Sequence, residues 1–123
     1  MAVARSVRSG PVAAGGGPGF VDSRAMSARW LLERRLSDSS QRLRRLRSEL
    51  AVADEQLLVL GDAADEARLR ALVSETPLAE REYRQARRHA DAMNRHRARL
   101  AEAIAQLQRT QDELLDELAA GTG

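Results

Sequence analysis

The chain contains no cysteine, which excludes disulfides, thiolate nucleophiles and cysteine-held metal, and leaves the redox compartment unread. Lysine is absent too, so all 20 basic residues are arginine. That bias fits a GC-rich coding sequence better than selection for bidentate phosphate contacts, which lysine makes less well. The net charge is only +2, too small to argue for a nucleic-acid partner by itself. Aromatic residues make up 2% of the chain, namely Phe20, Trp30 and Tyr83. A globular core in 123 residues normally draws on more large rings than that. No stretch approaches the roughly 20 consecutive apolar residues that a membrane-spanning helix needs. Arg5 and Arg8 are followed by no apolar run, so no secretory signal is expected and the cytoplasm is the expected location.

What remains is rich in leucine, alanine, glutamate and arginine, with 31% of residues charged. At helical spacing this is the composition of a long helix or coiled coil. Residues 1–25 stand apart. They hold Gly10, Gly15, Gly16, Gly17 and Gly19 together with Pro11 and Pro18. Such a segment buries too little apolar surface to offset chain entropy and is expected to be a disordered tail. Met26 is an alternative start to Met1.

From Leu32 the pattern changes. Leu32, Leu36, Ser39, Leu43, Leu46, Leu50, Ala53, Leu57, Leu60, Ala64, Ala67 and Ala71 alternate in steps of four and three. This spacing predicts a coiled-coil seam on one helix. Gly61 weakens the helix by about 1 kcal/mol relative to alanine, yet the heptad phase runs through it. The helix should end near residues 72–74. Thr76 is a good N-cap and Pro77 suits the first position of a second helix. Glu80 and Glu82 sit near that helix's N-terminus, where the macrodipole favours acids. The second seam is Ala79, Tyr83, Ala86, Ala90, Met93, Arg97, Leu100, Ile104, Leu107, Gln111, Leu114 and Leu118, and Gly121 follows as a stop signal.

The two seams match if the chain doubles back near Glu75. Facing residues then have numbers that add to 150: Ala71 with Ala79, Leu57 with Met93, Leu50 with Leu100, Leu32 with Leu118. The polar pair Ser39 and Gln111 also meets, a device that can set register, and Arg97 falls opposite Ala53 with Asp54 or Glu49 within reach of its head. Charge supports the same topology. Residues 29–47 carry a net +5 and 102–117 a net −4, while 49–75 carry −5 and 80–99 carry +4. Doubling back sets opposite signs together, whereas a parallel arrangement would set basic on basic. The sequence therefore predicts an all-α protein: a long two-helix antiparallel coiled-coil hairpin over 26–120, with arms of about 28–73 and 77–119, between a tail at 1–25 and a short one at 121–123.

No catalytic constellation accompanies this framework. His89 and His96 lie seven residues apart among Arg87, Arg88, Arg95 and Arg97, which would repel a cation, so no metal or cofactor site is expected. The glycine run at 15–17 neither follows a strand nor opens a predicted helix and is no phosphate cradle. No nucleophile elbow is present, and the chain is not expected to be an enzyme. The arginines at 42–47 and 84–99 could meet phosphates, but acidic counterparts across the hairpin are the simpler reading, and few rings are available to stack on bases. Two off-seam apolar sets remain: Leu69, Leu72, Val73 and Leu78 around Glu75 at the tip, and Val52, Leu58 and Val59 midway along the first arm. Clusters of this kind point to contacts.

The segment from Ala79 to Arg87, continuing to Ile104 and Leu107, resembles the second arm of the coiled coil of Gre-type transcript cleavage factors. That resemblance implies a hairpin entering the secondary channel of RNA polymerase, with Glu75, Glu80 and Glu82 as tip acids near the catalytic magnesium. Here Ser74-Glu75-Thr76-Pro77-Leu78 stands where that family carries its acidic tip. The segment Arg70 to Arg88 is also similar to small uncharacterised proteins of actinobacterial type, which implies no activity. The expected function is a non-enzymatic interaction or adaptor protein that binds a protein partner through the tip or side. A second copy of the chain is another candidate partner, nucleic acid is disfavoured and no membrane is expected. Polymerase docking and arginine-mediated nucleic-acid binding are the alternatives.

Overall fold

The computed structural model describes residues 17–122, with side chains from Arg24 onward except those of residues 25 and 122. Two helices account for this span: α1, Gly17–Ser74, and α2, Pro77–Thr122. Only Glu75 and Thr76 separate them. The protein is an all-α helical hairpin.

The helices are longer than the sequence pattern implies. Residues 17–25, assigned above to a disordered tail, are helical, and α2 passes the expected stop at Gly121. Extending a helix already nucleated adds a hydrogen bond for each residue fixed without a second nucleation cost. Pro18 lies in the first turn of α1, where its missing N–H is no loss. Residues 1–16, the rest of the expected tail, and Gly123 lie outside the described residues.

The chain divides into two compact units. The larger, Ser39–Gln111, contains the turn and most of the core. Leu43, Leu46, Ala53, Leu100 and Ile104 are buried together, with Leu50, Met93, Ala103 and Leu107 packed around them. Burying a leucine or isoleucine side chain contributes about 1.5–3 kcal/mol, so this cluster is the main source of the unit's stability. Toward the turn the buried residues are Ala67, Ala71 and Ala79. Small side chains belong there because a two-residue link forces the helices together, and interaxial distance follows side-chain size down to about 8 Å. The smaller unit joins residues 17–38 with residues 112–122 of the described chain. Leu114 is its buried apolar residue, and Leu32, Leu36 and Leu118 are half-buried.

Each of the seam positions read from the sequence, from Leu32 to Ala71 and from Ala79 to Leu118, is buried or half-buried. All the buried residues are seam residues. The four-three periodicity therefore selects the contact face on both helices.

Candidate interaction surfaces at the turn and along the hairpin

The turn is built by capping. Glu75 N–H donates to Ala71 O at 3.0 Å, closing the last turn of α1, and Glu75 itself has φ 52. This is the left-handed stop that usually takes glycine. Thr76 then caps α2: its Oγ1 accepts from Ala79 N–H at 3.2 Å, and its carbonyl accepts from Glu80 N–H at 3.1 Å. Pro77 occupies the first helical position, where no N–H is required.

With the backbone satisfied this way, the turn leaves its apolar side chains outward. Leu69, Leu72 and Leu78 are more than half exposed and Val73 is 83% exposed. Glu75, Glu80 and Glu82 are exposed beside them. Glu80 lies 3.9 Å from Arg84 of its own helix. A shallow depression lined by Ala71, Leu72, Glu75, Thr76, Pro77 and Glu80 lies across the turn.

The polar seam positions contact one another. Gln111 Nε2 donates to Ser40 Oγ at 2.9 Å and to Ser39 Oγ at 3.3 Å. Arg97 packs its stem in the seam, and its Nε donates to Asp54 Oδ1. Ser40 and Asp54 stand off the seam, and nothing in the heptad pattern marks them. Asp54 could be anticipated only as one of two acids within reach of Arg97.

Cross-hairpin charge pairing is realised differently from the block pattern. Arg97 with Asp54 crosses between the helices, whereas Arg29–Glu33, Arg34–Asp38, Glu80–Arg84, Arg87–Asp91 and Glu102–Arg109 each run along one helix. A flexible exposed arginine reaches a carboxylate one turn away at less entropic cost than one across the hairpin. Arg42, Arg44, Arg45 and Arg47 are all exposed, and no ion pair within 4.0 Å joins them to a described residue.

On one flank of the larger unit, two open recesses follow each other along the groove between the helices. The first, about 280 Å³, is lined by Glu49, Val52, Ala53, Gln56 and His96 among others. The second, about 570 Å³, is lined by Glu55, Gln56, Val59, Leu60 and Met93. Val52 and Val59 form the outer edge and are 51% and 67% exposed.

No protein family, curated protein or solved structure matches this chain. Function must therefore be argued from these surfaces alone. Among the described residues, no group of three or more His, Asp or Glu side chains could hold a metal ion, and no helix is long and apolar enough to cross a membrane. His89 and His96 are both exposed.

Proposed function

We propose that this protein is an interaction module that binds a protein partner through the turn of its hairpin. One observation carries the reading. Leu69, Leu72, Val73 and Leu78 stand exposed together around a turn whose capping does not need them. A two-residue turn serves equally well with polar neighbours, so the apolar side chains cost solubility without aiding the fold. Apolar residues clustered on an otherwise charged surface mark contact sites, and the hairpin places them where a partner's pocket could close over the end. Crosslinking in the native cell tests this. Leu72→Asp with Val73→Asp should lose the partners that the unaltered chain captures while keeping its helical signal, and unchanged capture would refute tip binding.

A second reading follows from the resemblance to Gre-type factors and rests on the exposed Glu75, Glu80 and Glu82 beside the turn. It requires the protein to co-purify with RNA polymerase and to alter transcript cleavage. Absence of association at low salt would end it.

A further inference from the structure

We infer that two copies of this chain associate through the Val52–Val59 face of α1, antiparallel to one another. The inference does not rest on the tip reading and uses a different stretch of α1.

Val52 and Val59 lie one heptad apart, so they share a face, and Gln56 lies between them at the edge of both recesses. This strip is the apolar centre of a face whose two ends carry opposite, unanswered charge. On its N-terminal side, one heptad before Val52, is Arg45, with Arg42 one turn before it, and neither has a carboxylate within 4.0 Å. On its C-terminal side, one heptad past Val59, is Glu66, likewise exposed and without a close cation, with Asp62 one turn before it. A single helix cannot bring its own two ends together. A second copy laid antiparallel about the midpoint of the valines can.

In that arrangement facing residue numbers add to 111. Val52 meets Val59 of the other copy twice over, as a two-fold axis requires. Arg45 then falls opposite Glu66, once on each side of the axis. Glu49 and Asp62 also fall opposite each other, with Arg45 one helical turn from Glu49 on the same copy. Neutral Gln56 lies beside the axis. A parallel pairing would set arginine against arginine, so the charge pattern selects the antiparallel one. The same pattern disfavours a polyanion on this face: phosphates drawn to Arg42–Arg47 would meet the carboxylates of Glu55, Asp62, Asp65 and Glu66 within a few turns.

Sedimentation equilibrium of the full chain tests the inference. Across about 1–500 µM the average mass should rise from one chain toward twice the chain mass as concentration passes the dissociation constant. A monomer at every concentration overturns it, and so does a rise in mass seen only when duplex DNA is added. Val52→Asp with Val59→Asp removes four buried valines from the pair and should weaken it by about a hundredfold or more. Because that variant could also lose its fold, charge exchange supplies a second measure. Arg45→Glu should weaken the pair, and adding Glu66→Arg should restore it. Failure of restoration overturns the antiparallel register. The chain has no cysteine of its own, so one introduced thiol reports position. Gln56→Cys should form an intermolecular disulfide on mild oxidation and Leu72→Cys should not. The reverse result would place the contact at the tip and overturn the inference.

Discussion

Glu75 gives the sharpest test of how the hairpin closes. It is the described non-glycine residue with positive φ, at 52°, and its N–H closes the end of α1 on Ala71 O. A residue with a Cβ is disfavoured in this conformation by about 1–2 kcal/mol relative to glycine. Glycine's greater freedom in the unfolded chain returns about 0.5–1 kcal/mol of that. The Glu75 carboxylate is unfavourable beside the C-terminus of α1 and favourable before the N-terminus of α2, each by about 0.3–1 kcal/mol, so its loss nearly cancels. Glu75→Gly should therefore stabilise the protein by about 0.5–1 kcal/mol, which for a chain of this length raises Tm by about 2–6 °C. The assay is thermal and urea unfolding followed by circular dichroism at fixed protein concentration, since association shifts apparent stability. Glu75→Gln controls for charge and should change stability by less than about 0.5 kcal/mol. Ser74→Gly, one residue back inside the helix, should cost about 0.5 kcal/mol. If Glu75→Gly destabilised as much as Ser74→Gly, the left-handed stop would be the wrong account of the turn.

Other substitutions probe the arms. Gly61→Ala should add about 1 kcal/mol, because Gly61 lies within α1 and a Cβ there meets nothing within 4 Å; a lower urea midpoint would contradict it. Leu100→Ala should cost about 2–4 kcal/mol, since Leu100 sits in the central buried cluster, and a loss below about 1 kcal/mol would place the core elsewhere. Arg97→Leu should be neutral or stabilising, because an apolar side chain suits the seam and the pair with Asp54 is half-exposed, worth about 0–1 kcal/mol. A large loss would show that the ion pair holds the helices in register. Gln111→Ala removes the contacts to Ser39 and Ser40 and should cost about 1 kcal/mol in the same unfolding assay, and no loss would mean that water replaces the amide without penalty.

The contact face was legible in the sequence because a helix has one period and a hairpin buries one stripe from each arm. The alternation from Leu32 to Ala71 and from Ala79 to Leu118 names every seam residue that is buried or half-buried, Ser39, Arg97 and Gln111 included. The turn was legible for a similar reason. Thr76 and Pro77 have local chemistry that suits a helix start wherever it occurs. The limits of the helices were harder to read, because glycine and proline near a terminus lower helix propensity without forbidding extension of a helix already formed.

What the sequence determined by itself is thus the fold class, the two arms and the residues between them, since each follows from periodicity or from capping within a few neighbouring residues. What the tertiary structure alone decided is which atoms meet around the seam. Asp54 receives Arg97, Ser40 joins Ser39 in receiving Gln111, and Ala101, Ala103 and Ala105 are half-buried off the seam. It also decided that Arg29, Arg34, Arg84, Arg87 and Arg109 pair along their own helix while the run from Arg42 to Arg47 has no carboxylate within 4.0 Å. The physical reason is range. Periodicity fixes the direction of a side chain around its axis, but an arginine's partner depends on reach, competition and distance, which exist only once both helices are in place.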